Sequence, residues 1–584
     1  MRQEVLALRE RMALHGIDAY IIPTDDFHGS EYVGEFFQCR AYVSGFTGSA
    51  GTLVVTKDWA GLWTDGRYFL QGAQQLHGSG IDLMKMAEPG VPTLTEWLRE
   101  NLPQGSTLGF DGRVMTSASG RELEKLHFPI IWDKDLVGEI WQDRPALSTA
   151  PAWELDAAYA GRSRREKLAA LKQAVKDQGC NAHILTSLDD LAWVLNIRGD
   201  DVACCPVVLG DLVVQGDSLT LYTDENKFPP ELKARLLEDG IDFRPYLSLY
   251  EDVKTLTGRV LLEPKKVNYA IYKGLSAEIL EGANPTTQPK AVKTQAEVDN
   301  ETIAHIKDGA ALTRFMKWVK ENAGRMDITE ISAAEKLESL RAEQENYLGP
   351  SFSPIMGYAH HGAIVHYGAT PESDIPLKAE SFLLSDTGGH YLEGSTDVTR
   401  TFALGPVTEE MKLHYTLVLK GHLNLGAAQF KKGCGGASLD ILARQPFWEL
   451  GLDYNHGTGH GVGYLLSVHE GPQNIRYNPA GGAARLEEGM ITSNEPGIYL
   501  EGKYGIRIEN LVVCEKRLEN EYGTFLGFRA LTMCPYDLDA VDLSLLTDRE
   551  KQLMNDYHKT VCETLAPLMD PEEQAWLKHA TRAV

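Results

Sequence analysis

The chain has 584 residues, with 57 lysines and arginines against 82 aspartates and glutamates, for a formal net charge of −25. That length exceeds one ordinary core, so two to four domains are expected, and an apolar share of 43% with 24% charged residues is that of a soluble globular protein. The acidic balance excludes DNA, RNA and anionic lipid as partners, each of which needs a basic footprint; most of the acid reads as solvated surface.

The N-terminal stretch MRQEVLALRERMALHGIDAYIIP carries charges among its apolar positions and predicts an amphipathic helix feeding a strand, not a signal peptide. No apolar run is long enough to span a bilayer, so a cytoplasmic protein is expected. The eight cysteines, Cys39, Cys180, Cys204, Cys205, Cys434, Cys514, Cys534 and Cys562, show neither CxxC pairs nor zinc spacing and read as free thiols. Adjacent Cys204 and Cys205 read as strand filler.

An internal repeat follows. LRERMALHGIDAYIIPTDDFHGSEYV from Leu8 and LAALKQAVKDQGCNAHILTSLDDLAWV from Leu168 share one plan: helix, glycine, apolar strand, then a helix start at a pair of aspartates. Gly16 matches Gly179, 163 residues on, whereas Tyr42 matches Trp193, 151 residues on, so the first copy carries roughly a dozen extra residues. The class predicted is α/β, with two small related domains. The first is set at residues 1–150, ending in the linker RPALSTAPAWELD, and the second at 151–292, ending in GANPTTQPKAVKTQAEVDNE. Helices are expected from about Ala296 to Asn322 and from Thr329 and Glu330 onward, with strand-like pieces up to about residue 515. The remainder divides into a domain holding the chemistry, 293–520, and a C-terminal extension packed on it, 521–584.

In SFLLSDTGGHYLEGSTDVTRTFAL, an apolar strand ends on Asp386 and a return strand carries Asp397, 11 residues later. By the two-residue period Asp397, Thr399 and Thr401 share one face. SNEPGIYLEGKYGIRIENLVV repeats the layout with Glu495 and Glu509, 14 residues apart, and Arg507 pointing the same way as Glu509. Each acid alone reads as a turn cap or surface residue. Together, two acidic hairpins flank the loop HGTGHGVG, residues 456–463. Four packed carboxylates repel unless cations neutralise them. Four acids and one imidazole without a thiolate make a hard-oxygen site for two divalent ions, Mn²⁺ or Mg²⁺ before Zn²⁺. The loop itself admits several readings. Its strand-like continuation YLLSVHE argues against a phosphate cradle, and its glycines argue against a helical pair of histidine ligands. What is left is a turn of close backbone approach that delivers one imidazole, set against the plain reading of two histidines in a tight turn.

The set Asp386, Asp397, His460, Glu495 and Glu509, in DTGGHYLEGSTDVTRT, HGTGHGVG, NEPG and GIRIEN, resembles the pita-bread metallopeptidases. YVSGFTGSAGTLVVT, LWTDGRYFLQ, LDDLAWVLNIRGDDV, GAIVHY and LGFRALTMCPYDLDAVDLSLLT narrow the resemblance to the three-domain form of aminopeptidase P, over nearly the whole chain. The resemblance implies a fold of two related α/β domains followed by a pita-bread catalytic domain, and release of the first residue from Xaa-Pro peptides. It implies two divalent ions, Mn²⁺ foremost with Zn²⁺ or Co²⁺ as alternatives. Asp386 then chelates one ion, Asp397 and Glu509 bridge both, and His460 and Glu495 complete the second, leaving His456 in support. A hydroxide held between the ions attacks the substrate carbonyl, with Glu495 as proton acceptor. His366 and His469 bind substrate and relay protons. Arg507 orients Glu509 and contributes to substrate binding, and Arg67 in TDGRYF reaches the site from a neighbouring domain. A homodimer is expected from the family. Two departures stand out: His360 and His361 ahead of GAI where the family commonly has Pro-Asn, and Asn494 where it often has Asp. Two rival functions share the fold, a prolidase confined to Xaa-Pro dipeptides and a metal-free protein-binding module; the latter class loses ligands, and here all five are present.

Overall fold

The computed structural model describes residues 1–478 and 484–584. They form two compact units, Met1–Ala157 with Arg162–Thr287, and Ala158–Gly161 with Gln288–Val584.

The repeat governs the first unit. Each copy opens with a helix, Gln3–His15 or Arg164–Asp177, followed by a left-handed glycine, Gly16 (φ 67°) or Gly179 (φ 71°). The offset of 163 carries the helix's buried face, Val5, Leu8 and Met12, onto Leu168, Leu171 and Val175. It also carries the strand start Ala19 onto Ala182. Each strand sits inside a six-stranded mixed sheet of identical order and sense. In the first, Ala19–Pro23 pairs antiparallel with Thr52–Thr56 and parallel with Leu108–Gly109. In the second, Ala182–Leu185 pairs antiparallel with Asp211–Gln215 and parallel with Arg259–Leu262.

One expected element is absent from the first copy. The paired aspartates open a helix only in the second, at Leu188–Leu195. In the first, Asp26 Oδ1 instead accepts from the backbone N–H groups of His28 and Ser30, which bends the chain into a turn at Gly29 (φ 72°). The matching helix, Cys39–Ser44, comes after the extra residues and ends on left-handed Gly45, as its counterpart ends on Asn196. Cys204 and Cys205 lie in a tight turn rather than a strand, with Cys204 at φ 57°. Cys39, Cys180, Cys434, Cys514, Cys534 and Cys562 are free thiols.

In the second unit a capping box of Thr294 and Glu297 starts the helix Gln295–Asn322, and Thr329 caps Glu330–Ala342. A three-stranded sheet has the order Ile355–Tyr358, Phe382–Thr387, Val398–Ala403. A six-stranded sheet has the order Gln429–Lys431, Gly523–Ala530, Asn510–Asn520, Ile491–Asn494, Gly459–Gly461, Glu470–Ile475. Two helices, Glu409–Gly426 and Asp440–Trp448, stand where the sequence suggested mostly strands. Thr408 caps the first, with Glu409 and Glu410 in its positive first turn. Their apolar faces, including Tyr415, Val418 and Phe447, pack with Ile498 and Ile506 behind the second acidic hairpin. The segment YLLSV is likewise a turn, with Leu465 at φ 48°, and the strand begins only at Glu470. The C-terminal helices Asp548–Leu565 and Pro571–Ala580 place Val561, Leu565 and Leu577 against Ala310 of the long helix.

Candidate metal centre

Two hairpins and one glycine strand build the site. In the first hairpin Asp386 lies opposite Thr399, and Asp397 immediately precedes the return strand, which makes the carboxylates diagonal neighbours on one face. In the second, Asn494 pairs with Asn510, so Glu495 and Glu509 sit one step beyond that pair. Threonine hydroxyls stitch the hairpins together. The Glu509 N–H donates to the Thr399 carbonyl, while the Thr399 hydroxyl donates to Glu509 Oε2 at 2.8 Å. The Thr401 hydroxyl donates to the Arg507 carbonyl at 2.9 Å.

His460 comes from the central strand of HGTGHGVG. A Cβ on Gly459 would lie 2.0 Å from the Ser493 carbonyl oxygen, and one on Gly461 2.2 Å from that of Glu470, so only glycine lets the strand lie this close on both sides. His460 Nδ1 lies 3.1 Å from the Gly461 carbonyl, which requires the proton there and leaves Nε2 with its lone pair. That Nε2 is 3.6 Å from Asp397 Oδ2 and 3.5 Å from Glu495 Oε1. Asp397, His460 and Glu509 each offer a ligand atom within 4.8 Å of the others.

The electrostatics are those of an anionic cluster out of water. Burial, reinforced by the charges of Asp386 and Glu495, pushes the Asp397 carboxyl well above its usual range. Burial and then Asp397, Glu495 and Asp386 do the same to Glu509. Burial raises Glu495 to about 7 against the opposing pull of Arg507. Asp386 Oδ1 and Glu509 Oε1 are buried and accept no hydrogen bond from the described residues. Buried carboxylate oxygens left bare in a ring of like charge are what a bound cation satisfies. The donor set, four carboxylates and one imidazole nitrogen, therefore fits hard divalent ions.

Behind the acids runs a chain of buried polar groups. Arg507, 1% exposed, donates to Asp386 Oδ2 at 2.5 Å, to the Tyr499 hydroxyl at 2.6 Å and to Thr399 Oγ1 at 3.2 Å. The sequence set it behind Glu509; it holds Asp386 directly and reaches Glu509 only through Thr399, because the hairpin register aims its fork at the neighbouring strand. Burial and three arginines, Arg507 first, push His456 down to about 3, so its ring is neutral. Its Nδ1 donates to the Gly457 carbonyl at 2.7 Å, so Nε2 accepts from the Tyr499 hydroxyl at 2.8 Å. His456 thus supports the site through Tyr499, a residue the sequence reading passed over because an aromatic in a hairpin strand carries no signal of its own.

The His469 ring meets His460 edge-on, with centroids 4.5 Å apart, and its charge favours the ionised forms of Asp397 and Glu495. His366 follows Val365, whose carbonyl accepts from Arg507 at 3.3 Å. Arg67 lies in the N-terminal unit, where it donates to both oxygens of Asp65, at 2.9 and 2.8 Å, and pairs with Glu31 at 3.3 Å.

Residues 301–516 match the family described as Metallopeptidase family M24, and 524–584 its C-terminal region. Residues 5–133 and 143–297 each match a Creatinase/Prolidase N-terminal domain. Aminopeptidase P2 of Arabidopsis thaliana is 40% identical over 97% of this chain and 86% of its own length. The chain belongs to the aminopeptidase P group of metallopeptidase family M24. A probable Xaa-Pro aminopeptidase P of Pyricularia oryzae is 37% identical over 98% of both chains. The crystal structure of X-prolyl aminopeptidase from Caenorhabditis elegans, described as a cytosolic enzyme with a di-nuclear active site, superposes with a TM-score of 0.95 at 34% identity. It covers 100% of this chain and 99% of its own. Within this aminopeptidase P framework both departures are engaged. Asn494 donates to the His422 carbonyl at 2.9 Å, and His361 Nδ1 lies 2.9 Å from Glu330 Oε1. Among the described residues no helix is long and apolar enough to cross a membrane.

Proposed function

We propose that this protein is a cytoplasmic, homodimeric Xaa-Pro aminopeptidase that releases the first residue of peptides with proline in the second position, using a pair of Mn²⁺ ions. The observation that carries the reading is the five-residue ring in which Asp397, His460 and Glu509 converge within 4.8 Å while Asp386 and Glu509 each keep a bare buried oxygen. Asp386, Asp397, Glu509, His460 and Glu495 would hold the ions, which supply Lewis acidity and a water of lowered pKa when bound. Glu495, whose carboxyl is poised near 7, takes up the proton released on attack. His469, beside His460, and His366, next to the Arg507-bound Val365, bind the peptide and relay protons. Arg507 keeps Asp386 in place. A bond to proline is a tertiary amide with no N–H, and the ring restricts the residue ahead of it, so a dedicated pocket is required.

The test uses Mn²⁺-loaded protein with an Xaa-Pro-Yaa peptide, an Xaa-Pro dipeptide and an Xaa-Ala-Yaa peptide. Release of the first residue from Xaa-Pro-Yaa, without cleavage of Xaa-Ala-Yaa, is expected. Hydrolysis of the dipeptide alone would instead make the protein a prolidase. Light scattering of the loaded protein tests the dimer.

A further inference from the structure

The loop carrying His366 is fixed from a direction that the metal ligands do not explain. Glu330, the first residue of the helix Glu330–Ala342, is fully buried yet gathers three donors from this loop. The Tyr358 backbone N–H donates to Oε1 at 2.8 Å and the Tyr367 hydroxyl to Oε2 at 2.7 Å. His361 Nδ1 sits between the two oxygens, 2.9 and 3.0 Å away. The His361 ring stacks on Tyr367 with centroids 4.5 Å apart, which ties the two side-chain donors to each other as well. The helix N-terminus favours a negative charge at Glu330.

The clamped turn is strained and tightly seated. Ala359 adopts φ 50°, a left-handed conformation that a residue with a Cβ rarely takes. A Cβ on Gly357 would lie 2.8 Å from the Gly362 Cα, and one on Gly505 1.7 Å from the Gly362 carbonyl oxygen. The turn is therefore pressed backbone to backbone onto the strand Tyr504–Arg507. His366 sits between two tethered neighbours. Val365 is bound to Arg507, which also holds Asp386, and Tyr367 is bound to Glu330. One side of the histidine is anchored to the metal-ligand scaffold and the other to a buried carboxylate on a separate helix.

We infer that Glu330, through His361 and Tyr367, is a positioning residue that sets the placement of His366 for the peptide substrate. The inference rests on the Xaa-Pro aminopeptidase reading, in which His366 handles the substrate. His361 here does what any side chain with an N–H at that position could do, donate to Glu330. An asparagine at 361 can do the same, whereas an apolar residue cannot.

The test measures kcat and KM on an Xaa-Pro-Yaa peptide, bound metal, and thermal unfolding for Tyr367→Phe, His361→Leu and His361→Asn, each also combined with His366→Ala. Tyr367→Phe and His361→Leu should each lower kcat/KM by about tenfold, as expected for a misplaced substrate group, with metal content unchanged. His361→Asn should recover most of what His361→Leu loses. In the His366→Ala background neither Tyr367→Phe nor His361→Leu should lower activity further. Losses that add in full to that of His366→Ala, wild-type activity in Tyr367→Phe and His361→Leu, or equal losses in the Leu and Asn variants would each overturn the inference. An inactive Mn²⁺-loaded wild type would overturn the aminopeptidase reading instead.

Discussion

Asp386 and Glu509 are held by different means. An arginine fork fixes Asp386, and a threonine hydroxyl with a backbone N–H fixes Glu509 and its strand. Replacing one carboxylate of the ring by its amide removes a charge without removing volume. Asp397→Asn and Glu509→Gln are accordingly expected to fold, shown by unchanged circular dichroism, yet to lose bound metal and at least about a hundredfold in kcat. Metal retained at wild-type stoichiometry in either variant would contradict the shared site. These acids were legible as a set, because two hairpins repeat one acidic pattern on either side of the glycine loop, although each acid alone reads as a turn cap or surface residue. Arg507's bond to Asp386 was not, since it joins residues 121 apart. A different titration belongs to His183 in the N-terminal unit. Its Nδ1 donates to the Leu261 carbonyl at 3.0 Å, its Nε2 has no hydrogen-bond partner among the described residues, and burial lowers it from 6.5 to about 4. Between those values the unfolded chain binds a proton that the folded chain refuses. Stability therefore falls on acidification through that window, by up to about 1.4 kcal/mol per pH unit for this group. The midpoint of thermal unfolding should drop less steeply with acid in His183→Leu than in the wild type.

Among the elements, the strand Gly459–Gly461 carries a steric demand on both of its sides at the site. Alanine at 459 or 461 would drive its Cβ to 2.0 or 2.2 Å from a neighbouring carbonyl oxygen, and neither neighbour is a side chain that can swing away. Gly459→Ala and Gly461→Ala are expected to destabilise by about 2–4 kcal/mol and to weaken metal binding by shifting His460. Gly368→Ala, with nothing within 4 Å of the added Cβ, should be close to neutral in a denaturant titration. Equal stability of all three variants would show that the strand can relax. The glycine loop and both hairpins were readable because their constraints are local: turn residues, two-residue periodicity and alternating glycines. The helices Glu409–Gly426 and Asp440–Trp448 were passed over for the opposite reason. The first is buried on most sides, so its apolar positions do not form the single stripe that marks a surface helix, and the second contains Pro446. The repeat was legible in its order of elements and in the match of Gly16 with Gly179, but the turn at Asp26 was not, because an aspartate pair serves a helix cap and a tight turn equally well.

For the molecule as a whole, the buried acid ring couples folding to both pH and metal. In metal-free protein the carboxyls of Asp397, Glu495 and Glu509 are all raised, Glu495 to about 7 from 4.5. Below the ordinary carboxylate range both folded and unfolded chains keep these protons. As pH rises the unfolded chain releases them first, so stability present in acid is lost as pH climbs through the folded-state value. A divalent ion reverses the trend. It binds the ionised carboxylates of the folded chain alone, displaces their protons, and so binds more tightly as pH rises. The gap in unfolding midpoint between Mn²⁺-loaded and chelator-treated protein should therefore be small near about pH 5 and widen toward about pH 8. Glu495→Gln, which carries no titrating group at that position, should flatten the rise between those limits. Differential scanning fluorimetry at fixed ionic strength reads both effects. A gap of constant size across the range would mean that the ions sit away from these carboxylates, and with it the site assigned here would fall.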